Sequence, residues 1–226
     1  MTRAPGQLRR TRVAIIDSGV DQGEFATAAE LTGATFSETH SDSLWWLSPE
    51  RHGTQMAKII TAIDPCCQLF IAKVGDHRSD IAGGAVEKAV EWADKEQHAD
   101  VISMSFALDL EDAQHADLLR IVQNAAHEGI VMVCSTADDG DNKLDAWPAS
   151  YPSTIAIATA MAAGVASLCL SCYQLDNGVP VPGPERANKV KEYFSAMTGG
   201  QNKKYVMPWL LFGDGRKDAC DKFLSK

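Results

Sequence analysis

The 226 residues of this chain are 45% hydrophobic and 23% charged, and the formal net charge is -9. Such a composition predicts a folded protein with a substantial core rather than a disordered chain. The negative balance argues against a nucleic-acid partner, because proteins that bind phosphate backbones usually carry a clustered basic face. No apolar run is long enough to cross a bilayer, and the first residues lack a secretory signal pattern. We therefore predict a cytoplasmic protein that binds neither nucleic acid nor a membrane.

The cysteines predict neither a metal centre nor a disulfide framework. Most of the six lie in apolar stretches, where buried free thiols are common. Cys169 and Cys172 form a Cys-x-x-Cys, but no second ligand pair follows at the spacing of a zinc site. We predict no metal and no cofactor.

Apolar runs rich in β-branched residues alternate along the chain with amphipathic stretches, which is typical of a parallel sheet covered by helices. The predicted strands are residues 13–16, 69–74, 100–105, 130–134 and 154–158. The predicted helices are residues 52–63, 82–97, 114–128 with Gly129 as the cap, 160–171 and 185–197. Four further segments connect or follow these elements: a polar loop at 138–142, an extended segment at 147–152, a proline-containing loop at 176–184 and an apolar run at 206–212. The pattern predicts an α/β fold of three layers, α/β/α, with a mainly parallel sheet. A basic arm, residues 1–11, precedes a single domain, residues 12–226.

Two short motifs in this pattern carry catalytic chemistry. Asp17-Ser18-Gly19 follows the first predicted strand, and His52-Gly53-Thr54 opens the first predicted helix. An aspartate that orients a histidine is two thirds of a charge-relay arrangement, in which the histidine takes a proton from a nucleophile. Taken singly, Asp17 could equally be a strand-end cap and His52 a helix-start residue, so the pairing needs support from the rest of the chain.

That support comes from six segments in a fixed order. They are VAIIDSGVD, RHGTQMAKII, LFIAKVGD, DVISMSFA, IVMVCSTADDG and WPASYPSTIAIA. Their order and approximate spacing resemble those of the subtilisin-like serine peptidases, from about Arg12 to Leu170. STADDG and ATAMAAGVASL are most similar to the intracellular fungal branch of that family. The resemblance implies cleavage of peptide bonds by acyl transfer to a serine, with Asp17 as the orienting carboxylate and His52 as the general base.

The resemblance also implies a substrate segment and an oxyanion site. The backbone of Ser103, Met104, Ser105 and Phe106 corresponds to the family segment that pairs with an extended peptide. A buried strand whose serines face a helix explains the same residues equally well. Asp138 stands where the family usually has an asparagine that donates to the oxyanion. An ionised carboxylate would repel that oxyanion, so Asp138 could contribute only if protonated.

The nucleophile is missing from its expected place. In the family, several strands and loops separate the segment after Pro152 from the helix that begins with the serine. Here the predicted strand at 154–158 continues directly into the helix, and the serine position aligns with Ala156. We therefore predict a domain that is incomplete after about residue 158 and catalytically inactive. Loss of core strands would leave apolar surface exposed, which predicts marginal stability or self-association.

The sequence is compatible with three functions. The first is an inactive homologue of a serine endopeptidase, and the second is a pseudopeptidase that binds extended peptides or acts in signalling. A nucleotide-binding domain is less favoured, because no strand is followed by a glycine-rich phosphate loop. Solvated surface positions account for the other histidines, at positions 40, 77, 98, 115 and 127.

Overall fold

The structure is a computed structural model that describes residues 9–25, 31–39, 42–108, 110, 112–135, 147–156 and 159–197. Asp138 and the predicted apolar run at 206–212 lie outside the described residues.

The described strands form one six-stranded sheet in the order β2-β3-β1-β4-β5-β6. Every neighbouring pair is parallel, as the alternating pattern predicts. The strands are β1 (Arg12–Asp17), β2 (Thr32–Thr35), β3 (Gln68–Lys73), β4 (Val101–Met104), β5 (Val131–Cys134) and β6 (Thr154–Ala156). The helices are α1 (His52–Ile63), α2 (Gly83–Lys95), α3 (Asp112–His127), α4 (Thr159–Asn177) and α5 (Gly183–Ala196). This arrangement confirms the predicted α/β fold.

Helices cover both faces of the sheet, because successive side chains of a strand point to opposite sides. Ala14 and Ile16 of β1 belong to a core cluster shared with α2 and α3. Val13 and Ile15 belong to a second cluster, shared with α1 and α4. The sheet is therefore the middle layer of three, and the side of the sheet on which a residue lies decides which helices it meets.

Four details differ from the sequence prediction. β2 was not predicted, because its sequence TGAT is short, contains glycine and shows no apolar alternation. α4 runs to Asn177, so the predicted loop begins two residues later than residue 176. α5 begins at Gly183, since a proline such as Pro184 fits the first turn of a helix. His115 is not a solvated surface residue, because its ring lies 4.0 Å from that of Trp147 and 5.5 Å from that of Tyr151, measured between centroids.

The described cysteines form no disulfide, and within the described ranges no helix is both long and apolar enough to span a membrane. Burial raises the pKa of Cys67 to about 12, which makes that thiol a poor nucleophile at neutral pH.

Candidate active site

The two predicted catalytic side chains meet at the carboxyl edge of the sheet. Asp17 is the last residue of β1, and His52 is the first residue of α1. The His52 Nδ1 lies 3.0 Å from Oδ1 and 2.9 Å from Oδ2 of Asp17. Asp17 is buried, whereas the His52 side chain is 27% exposed. The structure thus places a histidine with one nitrogen held by a buried carboxylate and part of its ring open to solvent.

Two glycines allow this approach. A Cβ on Gly53 would overlap the Gly19 carbonyl oxygen, so α1 could not start so close to the end of β1 with any other residue there. Gly19 has a φ of +86°, and a Cβ on it would lie 2.8 Å from the Trp45 carbonyl oxygen. The glycines of both motifs are therefore steric requirements of the Asp17–His52 contact.

The contact controls the protonation of His52. The hydrogen bond to Asp17 raises the pKa of His52 above its ordinary value, and partial burial opposes this increase. In the neutral ring, the proton on Nδ1 is donated to Asp17, which leaves Nε2 as the basic nitrogen. This is the tautomer that a general base requires.

A hydrogen-bond network fixes the aspartate. The Ser18 backbone N–H and hydroxyl donate to Asp17 Oδ1 over 2.8 and 3.1 Å. The Ser48 hydroxyl lies 3.0 Å from the Ser18 carbonyl oxygen and also contacts the Glu50 carbonyl oxygen. Ser48 therefore connects the loop before α1 to the residue that follows Asp17. This role of Ser48 was not predicted, since a single serine in a loop gives no signal of it.

A buried lysine lies next to Asp17 at the carboxyl edge of the sheet. Lys73 is the last residue of β3, pairs in register with Asp17, and is 0% exposed. Its ammonium group donates to the Leu47 carbonyl over 2.7 Å and lies 2.6 Å from Asp76 Oδ1. A buried ammonium needs such partners, because desolvation of an unpaired charge is costly. Lys73 thus attaches the loop before α1 to the sheet beside the catalytic pair.

The predicted substrate segment is divided by the end of β4. Ser103 and Met104 lie within the strand, and their neighbours on both sides are β1 and β5. Ser105 and Phe106 follow the strand, where the chain leaves the sheet next to Asp17. The hydroxyl oxygens of Ser103 and Ser105 are buried and have no hydrogen-bond partner within the described part of the chain. Because β1 and β5 already pair with the backbone of Ser103 and Met104 on both sides, an added peptide strand could pair only with the backbone beyond Met104.

Ala156 lies far from His52 and on the other side of the sheet. It is the last residue of β6, in register with Cys134 of β5, which is in register with Met104 of β4. Cys134 and Met104 both belong to the core cluster of α2 and α3. Because parallel neighbours in register share a face, Ala156 lies on that face, whereas Asp17 lies on the face of α1 and α4. Three strand spacings also separate β6 from β1, or about 14 Å.

Comparison with known proteins agrees with this geometry. A family model described as "Subtilase family" matches residues 9–193. The chain belongs to the subtilase family. Subtilisin amylosacchariticus of Bacillus subtilis subsp. amylosacchariticus is 28% identical to this subtilase over 158 residues, or 65% of the chain and 40% of the relative. Minor extracellular protease Epr of Bacillus subtilis (strain 168) is 24% identical over 160 residues, or 66% of the chain and 23% of the relative. The subtilase therefore spans two fifths or less of the length of these two relatives, and its likeness to the fungal branch stays a prediction.

Solved structures show the same fold. A serine-to-alanine mutant of the protease domain of PatA aligns with a TM-score of 0.68 at 18% identity, covering 92% of this subtilase and 99% of that chain. A lanthipeptide protease aligns with a TM-score of 0.68 at 15% identity, covering 87% and 84% of the two chains. Prenylagaramide maturation protease PagA aligns with a TM-score of 0.64 at 19% identity, covering 90% and 91%. Each of these likenesses covers 87% or more of this subtilase, so the shared fold accounts for most of the chain.

Proposed function

We propose that this subtilase binds extended polypeptide segments at the carboxyl edge of its sheet and does not cleave them. The observation that carries the proposal concerns the partners of His52: among the described residues, its ring hydrogen-bonds to Asp17 and to no hydroxyl group. Acyl transfer needs a hydroxyl within hydrogen-bond reach of His52 Nε2, roughly 3 Å. Ala156, with which the serine position aligns in the sequence, stands about three strand spacings from Asp17 and faces the opposite helical layer, so even a serine at that position could not reach His52.

Polypeptide binding is supported by the chemistry that the chain retains. The backbone after Met104 leaves the sheet beside Asp17 and His52, where an extended segment could add main-chain hydrogen bonds. The structural relatives named as a lanthipeptide protease and a maturation protease act on polypeptides, which is the substrate class that we carry over to binding here. Whether Asp138 contributes to an oxyanion site stays part of the sequence prediction.

One observation favours a second candidate, a weakly active peptidase. The Asp17–His52 geometry is that of a working general base, with Nδ1 held and Nε2 basic. Such a pair would activate any serine hydroxyl that reached Nε2.

Incubation with casein-derived peptides separates the two candidates. Peptides of ten to fifteen residues are mixed with the wild-type chain and with His52→Ala, binding is measured by fluorescence anisotropy, and cleavage by mass spectrometry. We expect binding without cleavage in both proteins. Cleavage by the wild type that is lost in His52→Ala would establish the peptidase instead, and absence of binding in both would reject the binding function.

A further inference from the structure

A turn just before α1 presents three large apolar side chains to solvent. Leu44, Trp46 and Leu47 are 44%, 42% and 60% exposed. The Leu47 N–H donates to the Leu44 carbonyl over 3.1 Å, which closes the turn that carries all three side chains. Trp45, in the same turn, instead packs on the core cluster of α1 and α4. Single exposed apolar residues are common, but three within four residues form a patch, which we name the apolar platform.

The backbone of the apolar platform is fixed from three sides. The Val20 N–H donates to the Trp45 carbonyl over 2.9 Å, and the Gln22 N–H donates to the Trp46 carbonyl over 3.3 Å. The Lys73 ammonium donates to the Leu47 carbonyl over 2.7 Å. A surface held in this way loses little conformational entropy when a ligand binds, so its exposed side chains are preorganised for contact.

The apolar platform is continuous with the catalytic pair. Leu47 is followed directly by Ser48, whose hydroxyl contacts the Ser18 and Glu50 carbonyl oxygens. Ser18 is the neighbour of Asp17, and Glu50 lies two residues before His52. Gly19 lies between the two regions: a Cβ on Gly19 would lie 2.8 Å from the Trp45 carbonyl oxygen, and a Cβ on Gly53 would overlap the Gly19 carbonyl oxygen. The turn that carries the apolar platform is therefore a close neighbour of the residue after His52, within reach of a polypeptide segment bound there.

Two acidic groups near the apolar platform have partners of opposite sign. Glu24 forms ion pairs with Arg51 and Lys58, and Asp76 forms one with the buried Lys73. Groups that are paired in this way exert little net field on a ligand, which favours a neutral apolar partner over a charged one.

The size of the apolar platform favours a segment over a second copy of the chain. Its three side chains expose on the order of 300 Å². A stable protein dimer buries about 800 Å² on each partner. The exposed area is enough to cover one aromatic or branched aliphatic side chain.

We propose that the apolar platform is a specificity subsite that binds one large apolar side chain, aromatic or branched aliphatic, of the polypeptide segment held beside His52. This inference rests on the proposed binding function. Trp46 and Leu47 would determine which polypeptide segments bind, and this role is separate from the proton transfer of the Asp17–His52 pair.

The test uses fluorescein-labelled ten-residue peptides of Gly, Ser and Thr that carry one central Phe, Leu, Ala or Glu. The full chain is expected to bind the Phe and Leu peptides at least tenfold more tightly than the Ala and Glu peptides. Trp46→Ala and Leu47→Ala should each reduce that preference at least fivefold. Leu175→Ala is the matched control, because Leu175 is 64% exposed on α4, close to the 60% of Leu47, and should leave the preference unchanged.

Four outcomes would overturn the inference. If all four peptides bind equally, or if Leu175→Ala has the same effect as Leu47→Ala, the subsite is wrong while the binding function stands. If none of these peptides and no casein-derived peptide binds, both proposals fail. If sedimentation shows a dimer that Trp46→Ala dissociates, the occupant is a second copy of the chain.

Discussion

Two places along the carboxyl edge of the sheet, interior strand β1 and end strand β6, differ in the catalytic groups that they carry. At β1 the chain has a buried aspartate, a histidine 2.9 Å away, and supporting contacts from Ser18 and Ser48. At β6, Ala156 provides no hydroxyl and faces the opposite helical layer. The comparison teaches that local packing alone can hold a histidine in the geometry of a general base, because none of the contacts that fix Asp17 and His52 in the described residues involves a nucleophile. Gly53, Gly19 and Lys73 allow or stabilise the packing of α1 and the loop before it on the ends of β1 and β3. This packing does not depend on a nucleophile.

The largest effect is expected from Lys73→Ala. The substitution removes a fully buried ammonium, leaves Asp76 without its ion-pair partner, and frees the Leu47 carbonyl. Breaking a buried pair on one side typically costs about 3 kcal/mol or more in the free energy of unfolding. Urea denaturation measures that cost. Lys88→Ala is the control, since its ion pair with Glu38 is largely exposed, and should change stability little. Equal effects of the two substitutions would contradict the role given to Lys73.

Gly53→Ala should have the next largest effect on stability. Its Cβ would overlap the Gly19 carbonyl oxygen, so the start of α1 must move away from β1. Overpacking of this kind costs about 1–3 kcal/mol, and here it should also separate His52 from Asp17. Thermal unfolding and the NMR-derived pKa of His52 report the two consequences. Gly23→Ala, whose Cβ would meet only the Asp21 side chain at 3.3 Å, should alter neither property.

Asp17→Asn tests the electrostatics of the pair without moving the backbone. The hydrogen bond to Asp17 is the main cause of the raised pKa of His52, so the substitution should lower that pKa, as followed by the imidazole resonances in an NMR titration. A raised folded-state pKa contributes stability that is fully present below the unfolded value of about 6.5 and is lost as the pH rises through the folded pKa. The difference in stability between wild type and Asp17→Asn should therefore narrow as the pH increases through that range.

Glu50→Gln is the matched control for that titration. Glu50 also raises the pKa of His52, but its influence is the smallest of those identified. Its removal should lower the pKa of His52 by less than Asp17→Asn does. A larger decrease in Glu50→Gln would mean that the Asp17 contact is not the dominant interaction of the ring.

The sequence predicts the helical part of this site better than the part built from the sheet. The bounds of α1 coincide with the predicted 52–63, because an apolar stripe that starts at Met56 follows the His-Gly motif within one helical turn. Pairing of Asp17 with His52 follows from family resemblance, since neither motif alone reports the distance between them. The face on which Ala156 lies depends on register across three strands, which a local pattern cannot specify. The role of Lys73 is equally hidden, because the neutralising Asp76 and the Leu47 carbonyl become its partners only in the folded chain.

The central claim is that the carboxyl edge holds a catalytic base without a nucleophile. Intact-mass analysis after treatment with a fluorophosphonate probe tests it most directly, on the wild type, Ala156→Ser and His52→Ala. No adduct is expected on any of the three proteins, because among the described residues no hydroxyl hydrogen-bonds to His52, and residue 156 faces away from it. An adduct on the wild type that is absent from His52→Ala, or an adduct on the new serine of Ala156→Ser, would contradict it.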